Sequence, residues 1–333
     1  MRTVDYHTGG EPFRIVLEGV PAIPGGSVRS RRESARTLPE IDEVRRLLCH
    51  EPRGHADMYG CFLVPPDDDG ADLGVLFWHK DGYSTACGHG TIALGAWAVE
   101  SGRVEAERDG ETDVVVDVPS GRVVARVTCS DGRVESVAFL NVPSYVIARD
   151  VAIELATGSV QVDVSYGGAI YASVPASAFG LSVAPEHYGE LIRAGRAVKR
   201  ALAETEYAVH PSDPRLSGIY GTILYDDLGL TEDGPHQRNV TVFADGEVDR
   251  SPCGSGTAAR VALLHDDGTL EPGRTLTHDS IVHTRFVARV VEETSCEGRR
   301  AVVPEVNGMA YRTGEHTFVR DSRDPVGTGF VLR

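Results

Sequence analysis

The sequence predicts an α+β fold of two related halves, each a mixed β-sheet or barrel wrapped around one central helix. Three observations carry that expectation. Short β-branched runs bounded by Gly, Pro and Asp recur along the chain. Two segments, 89–102 and 257–265, are apolar on every face, as a helix buried on all sides must be. Each of these helices follows the same turn, Cys-Gly-x-Gly-Thr, at Cys87–Thr91 and again at Cys253–Thr257.

The strand-like runs cover 14–20, 73–78, 113–118, 122–129, 239–244 and 285–291. Pro-Ser-Gly-Arg at 119–122 and Ser-Asp-Gly-Arg at 130–133 read as hairpin connections. Two amphipathic helices complete the set. One spans 39–49 and starts at a proline; the other spans 187–206 and is charged on one face. The doubling extends past the cysteines. Gly9-Gly10 and Gly167-Gly168 each open a strand-like run, 77 residues before Cys87 and 85 before Cys253. Two matched landmarks at similar offsets place a junction near 145–155, and the period is too long for a solenoid.

Bulk composition narrows the function. The 333 residues are 41% apolar, enough for a substantial core, and the net charge is −16. An acidic surface repels phosphates, which argues against nucleic acid and anionic membranes as partners. No apolar run approaches the roughly 20 residues of a membrane span. No export signal is read at the N-terminus, so the expected location is cytoplasmic. Six scattered cysteines with no C-x-x-C pair give no disulfide framework and no zinc site. Cys49, Cys61, Cys129 and Cys296 read as small buried hydrophobes. Lys80 and Lys199 are the only lysines, and neither context compels a Schiff-base role.

The doubled turn points to chemistry. A helix N-terminus has backbone N–H groups without intrahelical partners and a partial positive charge, so it holds carboxylates. A thiol placed there is expected to have a lowered pKa. Two such termini on one substrate would hold its carboxylate and set a sulfur on each face of the adjacent carbon. One thiolate removes the α-proton and the opposite thiol returns a proton, without need of a metal or cofactor. Asp249, four residues before Cys253, and His89, two after Cys87, are candidates to hold a substrate ammonium. The matching positions are Tyr83 and Ser255, so the two copies are not fully symmetric.

At these residues the chain resembles the proline racemase family, of the diaminopimelate epimerase-like fold. The likeness runs through His7–Pro12, Glu51–Gly60, Gly82–Ile92, Phe139–Pro143, Tyr166–Ala169, Asp249–Thr257 and Asp324–Arg333. It implies a division into 1–150 and 151–314, with the segment from about 315 to 333 returning to the first half and the site between the two. It implies Cys87 and Cys253 as catalytic bases, and the N–H groups of Gly88, His89, Gly254 and Ser255 as the carboxylate cradle. Asp249 and His89 would meet the ring nitrogen, with Tyr59 and Phe243 as pocket walls. The expected substrate is a small imino acid, with no cofactor, no metal and a homodimer as a compatible assembly. In the family, proline racemase carries cysteine at both positions, and so do the 4-hydroxyproline 2-epimerases, or these carry serine at the first. Cysteine followed by threonine is usual for trans-3-hydroxy-L-proline dehydratases. Both positions here are cysteine, which favours the first activity and keeps the second as the alternative. Tyr220–Leu224 and the Ile92–Gly95 run lean toward the dehydratases, and Ala86 and Ser255 depart from the commoner Met and Thr of the racemases, which points away from proline itself.

Overall fold

A computed structural model describes residues 1–156 and 158–332. The chain forms two compact units, 1–137 with 309–333, and 138–308.

In the second unit, β9 (Ser144–Leu155), β10 (Gly158–Tyr166), β11 (Ile170–Pro175), β12 (Ile219–Leu230), β13 (Pro235–Phe243), β15 (Leu276–Ser280), β16 (Arg285–Cys296) and β17 (Arg299–Gly308) pair in that order. β17 returns to β9 and closes the barrel. The short β14 (Glu247–Asp249) pairs with β13. All neighbours are antiparallel except β11–β12 and β13–β15. A parallel pair needs a crossover. The first is bridged by α4 (Tyr188–Leu202), the second by β14 and α5 (Gly254–Asp266). Helix α5 packs on β9, β10, β11, β16 and β17 and is buried from Gly254 to Leu264.

The first unit repeats this order. β18 (Ala310–Thr317), β1 (Arg2–Thr8), β2 (Glu11–Glu18), β3 (Tyr59–Val64), β4 (Leu73–His79), β6 (Gly110–Val118) and β7 (Gly121–Ser130) pair in sequence. The parallel pairs fall at the same places, β2–β3 and β4–β6. Their crossovers are α1 (Val28–Thr37) with α2 (Pro39–Cys49), and β5 (Gly82–Tyr83) with α3 (Gly88–Glu100). α3 packs on β1, β2, β6, β7 and β18 and is buried from Gly88 to Ala98. The fold is therefore α+β and pseudo-symmetric, each unit wrapped on one apolar helix.

The chain leaves the first unit within β8 (Arg133–Leu140). The junction expected near 145–155 falls inside β9, a stave of the second barrel. The returning segment begins with β18, which pairs along the whole of β1.

Among the α-helices, one was not expected from sequence. α1 is rich in arginine and lacks an apolar stripe, yet Ser27 and Ser30 form a reciprocal capping box at its start. It packs through Val28 and Ala35 and through Arg32, whose guanidinium donates to the Tyr83 carbonyl. Arg45 of α2 likewise donates to the carbonyls of His79 and Lys80. These arginines brace the strand ends that lead to Cys87.

Candidate active site

Each cysteine of the doubled turn stands at the start of its central helix. Cys87 is the N-cap of α3, in extended backbone, and its sulfur accepts the Gly90 N–H at 3.2 Å. The first intrahelical bonds run from Thr91 N to Cys87 O and from Thr257 N to Cys253 O. The N–H groups of Gly88 and His89, and of Gly254 and Ser255, therefore precede each helix's ladder, the kind of position that suits an anion.

The second glycine of each motif lies under the sulfur. A Cβ on Gly90 would stand 2.8 Å from Cys87 Sγ and 2.5 Å from the Phe13 ring; one on Gly256 would stand 2.9 Å from Cys253 Sγ. The second Gly-Gly landmark finds its reason here too. A Cβ on Gly167 would meet the Ser255 carbonyl at 2.4 Å, so this turn lies directly against the first turn of α5. In the first unit, Thr8 donates to the matching carbonyl, that of His89, at 2.9 Å.

Around Cys87, the His89 ring places Nδ1 3.4 Å from the sulfur. That ring is held edge-on by Tyr59 at 4.9 Å and Phe13 at 5.8 Å. The Tyr59 hydroxyl bonds Ser84. The candidate wall residue Tyr59 is thus fixed at both ends of its ring.

Around Cys253 the backbone is different. Its φ is +64°, in the left-handed region that costs a side-chain-bearing residue about 1–3 kcal/mol. Two sets of bonds hold it there. Asp249 accepts from the Ser251 N–H at 2.8 Å and hydroxyl at 2.6 Å, and Ser251 Oγ accepts the Cys253 N–H at 3.0 Å. On the other side, the carbonyl of Pro252 accepts from Asn239 Nδ2 at 3.0 Å and from the Thr257 hydroxyl at 3.1 Å. Asn239 Nδ2 also donates to His278 Nε2 at 2.8 Å, so His278 carries its proton on Nδ1 and donates to Thr257 at 2.8 Å. Burial lowers the His278 pKa to about 3 and keeps the ring neutral.

The expected lowering of the thiol pKa does not hold for Cys253. Burial pushes that thiol up, and the Asp249 carboxylate pushes it further. Desolvation of a fully enclosed sulfur outweighs the donors supplied by Gly256 and Thr241.

Phe243 ends β13 and stacks on Tyr220 at 5.6 Å, 18° from parallel. Lys199 donates to the carbonyls of Tyr220 and Ala244 and so holds this stack from behind. Lys80 is engaged by Asp81. Of the cysteines read as structural, Cys49, Cys61 and Cys129 are buried, whereas Cys296 is half-exposed at the end of β16. Among the described residues, no helix is long and apolar enough to cross a membrane.

Sequence reasoning missed Tyr171. It lies on β11, donor or acceptor to Ser255 Oγ at 2.7 Å, and its hydroxyl is 3.9 Å from Cys253 Sγ. The signal was its register: Tyr171 stands three residues past Gly168, as Phe13 stands three past Gly10.

The proline racemase family model matches residues 3–331. The chain belongs to the proline racemase family. Two relatives show the family's range. A trans-3-hydroxy-L-proline dehydratase of Bacillus cereus is 43% identical over 99% of this chain and 97% of its own. A 3-hydroxyproline 2-epimerase of Burkholderia multivorans is 46% identical over 100% and 98%. The crystal structure of a hydroxyproline epimerase from Agrobacterium vitis with bound trans-4-OH-L-proline superposes with a TM-score of 0.93, at 33% identity, over 100% of this chain and 94% of that one. The chain is thus an enzyme on the scaffold of the proline racemase family's isomerases, and most of its named relatives at this similarity are trans-3-hydroxy-L-proline dehydratases.

Proposed function

We propose that the protein inverts the α-carbon of a proline-type imino acid, with Cys87 and Cys253 as the acid–base pair. One observation carries the reading: a thiol stands at both motif positions, each seated over glycine at the start of a buried helix. In this reading the helix-start N–H groups of Gly88, His89, Gly254 and Ser255 take the substrate carboxylate, which gains charge as the α-proton leaves. Asp249 and His89 take the ring ammonium. An ammonium beside Asp249 cancels one of the two causes that keep Cys253 protonated. Tyr59 and Phe243 flank the ring. The names of the two relatives favour a 3-hydroxylated ring over proline.

The dehydratase name of the Bacillus relative supports a second outcome on the same residues. There Cys87 takes the α-proton, the 3-hydroxyl leaves and takes up that proton as water, and the enamine left behind tautomerises to a cyclic imine. A thiol at 253 argues for reprotonation instead, because it can return a proton to the opposite face.

The deciding experiment incubates L-proline, trans-4-hydroxy-L-proline and trans-3-hydroxy-L-proline with enzyme in D2O. The expected product is the 2-epimer carrying α-deuterium, with Cys87→Ser and Cys253→Ser each slower by about 10²–10⁴-fold. A reducible imine with no epimer would establish the dehydratase outcome. Near-wild-type turnover in either serine variant would reject the two-base reading.

A further inference from the structure

The two halves differ in the polar group that each offers its sulfur. In the first, the His89 imidazole lies 3.4 Å from Cys87, and the residue in register with Tyr171 is Phe13, an apolar ring packed on His89 and Gly90. In the second, serine replaces the histidine, and two hydroxyls come near Cys253, those of Tyr171 and Thr241. The Tyr171 ring is fully enclosed, set edge-on to Tyr220 at 5.7 Å, and its hydroxyl is shared with Ser255 at 2.7 Å.

We infer that the Tyr171 hydroxyl is a hydrogen-bond donor that the Cys253 sulfur gains once it has lost its proton, beside the standing donors Gly256 and Thr241, with Ser255 holding that hydroxyl while the sulfur is a thiol. The inference rests on the reading of Cys253 as an acid–base group. As a thiol, Cys253 has its S–H near Tyr171 oxygen, and the phenol proton points to Ser255. As a thiolate, it presents a charge, and the phenol proton turns from Ser255 to the sulfur. No proton is gained or lost in that turn; the α-proton alone moves between carbon and sulfur. Burial keeps Tyr171 well above the ordinary tyrosine range, so it donates rather than ionises. The titratable groups facing Cys253 within its unit are Asp249 from β14, which opposes the thiolate, and Tyr171 from β11, with Tyr220 of β12 one ring beyond. Tyr171 is the one of these that can donate to the sulfur directly. It does for Cys253 what the His89 ring is placed to do for Cys87, by a different chemical group on a different element.

The test reads each thiol separately. Iodoacetamide labelling of the full-length protein is followed across pH, with Cys87 and Cys253 resolved by mass spectrometry. A hydrogen bond to a charged group corresponds to about one to two pH units. Tyr171→Phe is expected to raise the Cys253 midpoint by that amount and to leave the Cys87 midpoint in place. Placing 3-fluorotyrosine at position 171 keeps the ring and strengthens the donor, so the Cys253 midpoint is expected to fall. An unmoved Cys253 midpoint in both proteins, or equal movement of both cysteines, would overturn the inference. Failure of the two-base reading appears elsewhere, as retained turnover in Cys253→Ser.

Discussion

An alanine in the middle of a helix ordinarily stabilises it by about 1 kcal/mol over glycine. At Gly90 and Gly256 the opposite is expected, because the new methyl would stand within 2.9 Å of a cysteine sulfur. Overpacking of this kind costs about 1–3 kcal/mol, and with the two sulfurs as the proposed acid–base pair a displacement of roughly 1 Å is expected to cost about 10²-fold in rate. Gly90→Ala and Gly256→Ala should therefore lower kcat by about two orders of magnitude while melting only a few degrees lower. Initial rates and thermal unfolding check this; kcat close to wild type would show that the sulfurs have room to spare. The doubled Cys-Gly-x-Gly was plain in the sequence because rare residue types recurred at fixed spacing. The reason for its second glycine was not, since the sequence does not say that the neighbour to be cleared is the motif's own sulfur. Tyr171 escaped for a related reason. An aromatic in a buried strand looks the same whether its hydroxyl meets water, a backbone carbonyl or a thiol.

Among the elements, strands and central helices were legible because period and composition agree in them. α1 was not, because its stabilising features are a serine box and arginines aimed at carbonyls, which leave no apolar stripe. The clamp on the Cys253 turn was equally hidden. His278 of β15 lies 25 residues past the cysteine, and nothing in its own segment marks it. That clamp has a measurable pH signature. The folded ring has a pKa of about 3, against an ordinary value of 6.5. Between those limits the unfolded chain binds a proton that the folded one excludes. The stability is complete above pH 6.5 and is lost as pH falls toward 3, by up to about 1.4 kcal/mol per pH unit. Unfolding midpoints of wild type and His278→Gln between pH 7 and pH 4 should diverge, with the variant the flatter of the two. Parallel curves would mean that His278 does not charge on unfolding.

At the scale of the whole molecule, the two units share a strand order but not a continuity. The second is one uninterrupted stretch whose barrel closes on itself through β17 and β9. The first needs both ends of the chain. A fragment spanning 138–308 is expected to fold cooperatively, as judged by a single thermal transition and a dispersed amide spectrum. A chain ending at Gly308 is expected to lose the protection of β1 amides in hydrogen exchange and to keep that of β12 and β13. If the fragment stays unfolded, the closed barrel is not sufficient for stability.

The pairing of β18 with β1, sealed by the reciprocal bonds of Met1 and Phe318, also dates the enzyme's assembly. The strand made first waits for one of the strands made last. At the usual 5–20 residues per second, about 15–60 seconds separate their emergence from the ribosome. From the emergence of α3 to the end of that interval the nascent chain holds the helix and its cysteine without a strand that helps enclose them, and the second barrel is whole only as β18 itself emerges. A ribosome that stalls before residue 310 thus leaves a half-dressed helix rather than a weakly active enzyme, and the exposed β1 edge is the mark by which a chaperone or protease would know it.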